Sequence, residues 1–271
     1  MDEKSPKYYE MIYTDELSSY SDPELRAMRF SEDGPSDKHR RIMEENPVYL
    51  TREQVKEIVD DSVMYIPPPP ENDSLETLSE LHRLYERTSG AKQDFHDSIR
   101  KYHGLEMPSM FADTLKEWGY DPDVQELKDL YHDAEIVCLN IQYEYNRPRP
   151  YQVAEYYEMP LSVVTPKDID SPSYPCVEHV QAALVALRCG QYVNYDRKKE
   201  LVKLTAQVAR AKLTGGCNFA SDTSASVILA THIFNATKFG ESARLDLMKR
   251  KKKKLKRQQN KSRAYNRRTH N

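Results

Sequence analysis

Long apolar runs, paired cysteines and strand-like alternation are what this sequence lacks, and each absence excludes a class of protein. No run approaches the roughly 18 apolar residues of a membrane span, and the acidic N-terminus MDEKSPKYYE has no apolar stretch typical of a secretory signal. The four cysteines form no CxxC pair and no metal-ligand spacing. We therefore expect buried free thiols, no bound metal, no other cofactor and no contact with a membrane.

The charge is unevenly distributed along the chain. The net charge is −3, but residues 249–271 hold 12 Lys and Arg and no acid, which leaves the rest with 28 basic and 43 acidic residues. A run of like charge repels itself and stays solvated unless it meets an acidic partner. The tail either keeps the chain soluble or binds a partner, which would be nucleic acid or an acidic protein surface. The candidate contact residues are Lys251, Lys252, Lys253, Lys254, Lys256 and Arg257.

Residues 1–73 are rich in Asp, Glu, Ser, Pro and Tyr and show no long apolar period. Short helices are predicted after Asp22, with Pro23 at the first helical position, and after Thr51, with Gln54 completing a capping box. The prolines at 67–70 predict a polyproline spacer. We expect this segment to be either a disordered tail or, preferably, an extended arm that orders on a neighbouring subunit. The second interpretation predicts a homo-oligomer or a larger assembly.

Residues 74–240 carry helical periodicity and predict an all-α domain, followed by a basic tail over 241–271. The strongest patterns run from 124 to 141, 177 to 189, 196 to 213 and 222 to 234. Residues 151–175 contain several prolines and predict a long connection. One helical bundle between an extended N-terminal arm and a basic C-terminal tail is the expected architecture.

Three polar segments border these helices: NRPRPYQ at 146–152, SPSYPCVEHVQAAL at 171–184 and ARAKLTGGCNFASD at 209–222. They supply Arg147, Arg149, Arg210 and Lys212, and a helix start near Pro175. Cations beside the free backbone amides of a helix N-terminus form a cradle for a phosphate or another oxyanion. These four side chains are therefore anion-binding candidates.

The order and spacing of the segments resemble the type 2 phosphatidic acid phosphatase and vanadium haloperoxidase superfamily. Its motifs are Lys, six residues and Arg-Pro; then Pro-Ser-Gly-His; then an Arg segment ending in His, three residues and Asp. Arg149 with Pro150, Pro175 and Asp222 match. The resemblance covers about residues 140–235, extends with flanking helices to about 75–240, and implies a vanadium haloperoxidase-like helical bundle.

In family phosphatases the third-motif His is the nucleophile, the Asp orients it, and the second-motif His is the general acid. The corresponding positions here are changed. Asn218 replaces the nucleophile, and a carboxamide offers no usable nucleophilic lone pair near neutral pH. Glu178 replaces the general acid and puts negative charge where a phosphate would sit. Gln142 replaces the first-motif Lys and removes a cation.

The remaining motif positions also depart from the family. Cys176 replaces the Ser and Val177 replaces the Gly, which adds a Cβ where the backbone would approach an anion. Lys212 replaces the Arg, with Arg210 two positions earlier. A one-residue slip would offer His179 as the acid, but about 100° further round the helix. Because the changes disfavour an anionic ligand, the resemblance implies an inactive site on a retained scaffold.

We expect a non-catalytic structural or assembly protein on a phosphatase-like scaffold. Since phage genomes carry soluble members of this superfamily, the resemblance favours a virion component. The alternative location is the cytoplasm. One alternative is a phosphomonoesterase with a rearranged site, in which Asp222, Glu178 or His179 takes a new role. The other is a nucleic-acid-binding accessory protein that uses the basic tail.

Overall fold

The computed structural model describes residues 22–88, 102, 106–161, 163 and 170–243, and within these residues it contains helices and no strands. The expected all-α class is therefore confirmed. Residues 1–21 and the basic tail from 244 onward, with all six candidate contacts at 251–257, lie outside the described residues. Eleven helices occupy the described part: α1 Pro23–Ala27, α2 Asp37–Glu44, α3 Arg52–Asp60, α4 Ser62–Tyr65, α5 Leu75–Thr88, α6 Glu106–Glu117, α7 Val124–Tyr145, α8 Pro150–Tyr156, α9 Val177–Cys189, α10 Tyr195–Thr214 and α11 Ala220–Ala236.

Helix α9 is the centre of the bundle and packs against α6, α7, α10 and α11. Its sequence VEHVQAALVALRC is apolar on nearly every side, with Val180, Leu184 and Val185 fully buried, and a helix that is apolar all round belongs inside a core. The longest helix, α7, starts at the Asp123 cap and ends at Asn146, which adopts a left-handed conformation with φ 47°. The C-terminal end of α7 therefore places the first polar segment, residues 146–152, beside one end of α9.

Residues 22–73 do not form the expected extended arm. Leu25 and Ile66 are buried, and Val55 and Ile58 of α3 join the core formed by α7, α9 and α11. The sequence lacks a long apolar period here because the segment buries single residues from several short helices. The predicted helices after Asp22 and Thr51 are both present, and Thr51 makes the predicted capping box.

Buried polar groups attach this segment to the bundle. The Asp133 carboxylate on α7 accepts the backbone N–H groups of Val48 and Tyr49, each at 2.7 Å. The Tyr174 hydroxyl donates to the carbonyl of Pro67, at the start of the proline run. Long-range contacts of this kind leave no periodic pattern in the sequence, which explains why the attachment was not predicted.

The four strong helical patterns of the bundle are confirmed as α7, α9, α10 and α11. Two helices were missed: α2, and α8 within the predicted connection, where Pro150 occupies the first helical position. In the described part of the chain, no helix combines the length and the apolar content that crossing a membrane requires.

Candidate functional site

The three polar segments meet where long helices begin or end. The first follows α7, the second leads into α9, and the third joins α10 to α11. Nη1 of Arg149 lies 3.2 Å from Oδ1 of Asn218, and Nη1 of Arg147 lies 2.6 Å from Oδ1 of Asp222. The backbone N–H of Cys176 donates to the carbonyl of Asp222. The fold therefore brings the three segments into direct contact.

Arg149 is 4% exposed, and neutral acceptors take its donors. Nε donates to the Ser171 carbonyl at 2.8 Å, and Nη2 lies 3.3 Å from the Ser171 hydroxyl. Nη1 donates to the Cys217 carbonyl at 3.0 Å and to Asn218 Oδ1. Among the described residues, no carboxylate forms an ion pair with this guanidinium. Burial of a charge without a counter-charge is costly, so an anion placed here would be stabilised.

Arg147 lies in the same region but already has counter-charges. Its Nη1 binds Asp222, its Nη2 lies 3.6 Å from Oε2 of Glu80, and its guanidinium stacks 4.2 Å from the centroid of the Phe219 ring. Glu80 in turn accepts the backbone N–H and the hydroxyl of Ser221, both at 2.7 Å. Burial raises the pKa of Glu80, while Ser221 and Arg147 oppose that rise. Arg147 is therefore a partner of internal carboxylates, rather than the open anion-binding cation expected from the sequence.

Asp222 is fully buried and holds the start of α11. Its Oδ2 accepts the Ser173 hydroxyl at 2.6 Å, the backbone N–H of Phe219 at 2.8 Å and the Asn218 amide at 3.4 Å. The bond to Phe219 caps α11, since Phe219 is the N-cap residue. The carboxylate therefore caps the helix from the third helical position.

Lys212 and Glu178 neutralise each other. Lys212 is buried in the last turn of α10, and its Nζ binds Oε1 of Glu178 in the first turn of α9. The Cys176 thiol lies 3.7 Å from Oε2 of the same carboxylate. Burial raises the pKa of the Cys176 and Cys217 thiols, so both stay protonated and unreactive near neutral pH.

Both ends of the Asn218 amide are engaged. Nδ2 donates to the Ser173 carbonyl at 2.7 Å, and Oδ1 accepts from Arg149. Gln142 is also buried, and its Nε2 donates to the Pro175 carbonyl at 2.8 Å. Oε1 of Gln142 is a buried acceptor without a partner in the described structure. Neither amide provides a nucleophile or a positive charge.

Two further candidates lie apart from this cluster. His179 faces α11, where its Nδ1 lies 2.9 Å from the Thr223 carbonyl, and burial lowers its pKa. Its Nδ1–H is therefore committed to a backbone acceptor. Arg210 lies on the exposed side of α10, away from the buried segment ends. The structure thus brings together Gln142, Arg147, Arg149, Glu178, Lys212, Asn218 and Asp222, but not His179 or Arg210.

Sequence reasoning missed Glu80, Thr77 and Ser173, whose side chains contact the buried pair of Arg147 and Asp222. Thr77 and Glu80 are three residues apart on α5 beside its leucine face, and Arg147 Nη2 lies 3.3 Å from the Thr77 hydroxyl. A buried acid bordering an apolar face was the available signal, because such a residue needs a partner. Nothing local in the sequence identified that partner as Arg147.

The fold defines the class of protein that this chain resembles. Its helical architecture is similar to the crystal structure of a bacterial vanadium-dependent iodoperoxidase, with a TM-score of 0.56 and 14% sequence identity over 85% of this chain. The chain spans 64% of the length of that protein. It is also similar to the crystal structure of a transmembrane PAP2-type phosphatidylglycerolphosphate phosphatase from Bacillus subtilis, with a TM-score of 0.45 and 10% identity over 70% of this chain and 95% of the other.

No protein-family model matches the sequence, and no curated protein matches it either. The structural likeness establishes the haloperoxidase-like fold. The residues present do not fit a bound vanadate, however. Glu178 brings a carboxylate to Lys212, and the amide of Asn218 is occupied at both ends. In the described residues, no group of three or more His, Cys, Asp or Glu side chains is arranged to hold a metal ion.

Proposed function

We propose that this protein is a non-catalytic structural or assembly protein built on a haloperoxidase-like scaffold. The observation that supports the proposal is that two of the three buried cations at the motif segments are bound to the chain's own carboxylates. Lys212 pairs with Glu178, and Arg147 pairs with Asp222. A phosphate or vanadate at Lys212 would have to displace a negative side chain already bound there, and this disfavours an oxyanion ligand.

The state of Asn218 supports the same proposal. A phosphoryl-transfer nucleophile must present a lone pair to the substrate, with a neighbouring base to activate it. Asn218 presents a carboxamide whose Nδ2 and Oδ1 are both hydrogen-bonded inside the protein. Asp222 is likewise committed to Arg147, Ser173 and the N-cap of α11. The residues that would act and orient are therefore used to hold the fold.

Turnover of a chromogenic phosphomonoester, with and without vanadate, tests this proposal. We expect no turnover above that of the Arg149→Lys variant, which keeps a positive charge but loses the branched guanidinium. Circular dichroism of both proteins confirms that they are folded. Turnover that vanadate inhibits, and that Arg149→Lys abolishes, would contradict a non-catalytic role.

A second candidate function rests on Arg149. It is buried and has only neutral hydrogen-bond acceptors among the described residues. This arrangement favours residual oxyanion binding, and hence a phosphomonoesterase in which His179, Glu178 or Asp222 takes a new role. Calorimetric titration with phosphate and with vanadate distinguishes the two functions. Binding lost in Arg149→Gln supports the second candidate, and no binding by the unaltered protein excludes it.

The assembly role that we propose joins several copies of this chain, with a virus particle as the favoured setting. Support comes from the unequal charge distribution: an acidic body with a net charge of −15 and a tail of 12 basic residues without an acid. Opposite charges on one chain suit contacts between copies or with nucleic acid. Sedimentation velocity at increasing concentration tests self-association, and a chain that stays monomeric contradicts the assembly role.

A further inference from the structure

Helix α11 has an outer face without charged side chains. Its inner side, with Leu229 and Ile233, belongs to the core of the bundle. Asp222 is the one Asp, Glu, Lys or Arg among the 17 residues of the helix, and this carboxylate is fully buried. A helix at the surface of a globular protein ordinarily turns charged and polar side chains to the solvent. The outer face of α11 therefore has the composition of a surface that another protein surface covers.

The exposed positions of α11 recur at intervals of three and four residues. Residues at this spacing form the row along which one helix packs against another. Val227 and Ile228 lie in the middle of the row, and uncharged polar residues flank them on both sides. The complete row is Ser224, Val227, Ile228, Thr231 and Asn235. The pattern indicates that the element that fits here is a helix.

Apolar residues of two neighbouring helices extend this row. Tyr65 of α4 stacks on His232 of α11, with the ring centroids 3.6 Å apart, so α4 lies directly beside α11. On the other side, Val202 of α10 and Val227 line one groove. Exposed apolar side chains on three adjoining helices form a patch rather than scattered residues. The apolar residues of this patch, which we call the α11 face, are Val63, Met64, Val202, Val227 and Ile228, and they are 38–74% exposed.

A groove of about 390 Å³ lies between α10 and α11 within the α11 face. Ala183 and Ala186 of α9 and the following Gly190 line it, and these small residues leave space that larger side chains would fill. Lys198 is the one charged residue in the described lining. The α11 face thus combines a row of exposed side chains with an apolar groove beside it. Two such faces are suited to pack on each other about a two-fold axis, because the row of each copy can enter the groove of the other.

The charge of the chain favours a second copy as the partner. Residues 1–248 hold 28 basic and 43 acidic residues, a net charge of −15, so two copies repel each other over most of their surface. Acids brought into direct contact add to that cost. Two copies therefore meet most favourably where acids are absent, and the α11 face and the described lining of its groove contain none. A basic partner, by contrast, would bind the acidic surface elsewhere.

We propose that the α11 face packs on the α11 face of a second copy of this chain, with the two α11 helices antiparallel about a two-fold axis. Burial of the apolar side chains drives the contact, and Val227, in the middle of the exposed row, lies close to the axis. The inference rests on the assembly part of the proposed function, and it names the surface that joins two copies.

Sedimentation velocity of the full-length chain over a range of concentrations tests the contact. We expect a dimer whose affinity holds or rises as salt is added, because salt screens the repulsion between the acidic bodies. Val227→Glu should weaken dimerisation by about 100-fold or more, since it places a carboxylate from each copy in an apolar contact. The matched control is Leu75→Glu, because Leu75 is also 48% exposed but lies on α5, outside the α11 face. It should change the affinity by less than about twofold.

Paired substitutions test the two-fold arrangement. At concentrations where the unaltered protein is dimeric, Val227→Glu and Val227→Lys should each be monomeric, because like charges meet near the axis. Mixed in equal amounts, the two variants should form a heterodimer, because unlike charges then meet. A mixture that stays monomeric overturns the pairing of α11 with α11.

The stability of the dilute monomer separates a second copy from other occupants of the α11 face. Val227→Glu should leave the urea midpoint of the monomer unchanged, because the Val227 side chain is exposed in a single copy. A monomeric chain whose midpoint falls in Val227→Glu has this face covered by its own residues, which overturns the inference. Should Val227→Glu fail to fold, Val202→Glu replaces it, since Val202 is 63% exposed on α10.

The remaining outcomes separate this inference from the proposed function. Self-association that persists in both Val227→Glu and Val202→Glu overturns the α11 face as the contact and leaves the assembly role standing. Self-association that weakens steeply with added salt does the same, and it indicates a contact through the basic tail. A chain that stays monomeric contradicts both the assembly role and the inference. Phosphomonoester turnover would contradict the non-catalytic function without altering the dimerisation results.

Discussion

Replacing Asp222 by Asn separates a structural from a catalytic role for this carboxylate. The change keeps the shape of the side chain and removes its negative charge. In the structure, Asp222 is fully buried and accepts bonds from Arg147, Ser173 and the Phe219 backbone. An Asn side chain turns an NH₂ group toward one of these donors, so at least one of them loses its acceptor.

The size of the effect follows from what remains around Arg147. Its other carboxylate, Glu80, lies 3.6 Å away and already accepts two bonds from Ser221. Removing one partner of a buried ion pair costs about 3–5 kcal/mol, and a domain of this kind has a total stability of about 5–15 kcal/mol. We therefore expect Asp222→Asn to lower the free energy of unfolding by about 3–5 kcal/mol.

Urea unfolding, followed through the fluorescence of the single tryptophan, Trp118, measures this loss. The matched control is Asp196→Asn, because the Asp196 side chain is 84% exposed and pairs with Lys199 at 3.2 Å. An exposed pair of this kind contributes less than about 1 kcal/mol.

Should Asp222→Asn fail to fold, Ser173→Ala removes one donor to the same carboxylate and should cost about 1–2 kcal/mol. A loss below about 1 kcal/mol in Asp222→Asn would refute the reasoning that this carboxylate holds the fold.

Three further predictions concern other parts of the chain. Asp133→Ala should cost about 2–4 kcal/mol, because it leaves the N–H groups of Val48 and Tyr49 without this acceptor, and hydrogen exchange at those two amides should accelerate. Burial lowers the pKa of His179 below 6.5. As the pH falls below about 6.5, the unfolded chain therefore binds a proton at this residue before the folded chain does, and the free energy of unfolding should fall by up to about 1.4 kcal/mol per pH unit. Urea unfolding compared at pH 7 and pH 5.5 should show a smaller loss in His179→Gln. Deleting residues 249–271 should abolish any nucleic-acid binding that weakens steeply with salt in a filter-binding assay, and binding that survives the deletion excludes the tail as the contact.

The helices of the bundle were predictable because their burial is periodic. Val180, Leu184 and Leu187 on α9 recur at helical spacing and lie in or against the core. The segment before the bundle was not predictable in the same way. Leu25 and Ile66 are single buried residues between polar neighbours, and their burial depends on contacts with distant helices.

The chemistry of the site was partly predictable. By the resemblance, Gln142, Glu178 and Asn218 stand in place of the family's Lys and two His, and this assignment stays a prediction. The sequence did not reveal that Glu178 binds Lys212 or that Arg147 binds Asp222. Those pairs join residues 34 and 75 positions apart, a distance that only the packing of the helices closes.

The sequence by itself therefore determined the helical class and the positions of the long helices, because the periodicity of apolar residues is a local property. Only the tertiary structure decided which cations have counter-charges. Arg147 and Arg149 are two residues apart and chemically alike, yet one lies against two carboxylates and the other against carbonyls and an amide. That difference arises because α5 and α11 bring Glu80 and Asp222 to Arg147. The segments before α9 and α11 bring only Ser171, Cys217 and Asn218 to Arg149. The electrostatic character of the site depends on this difference.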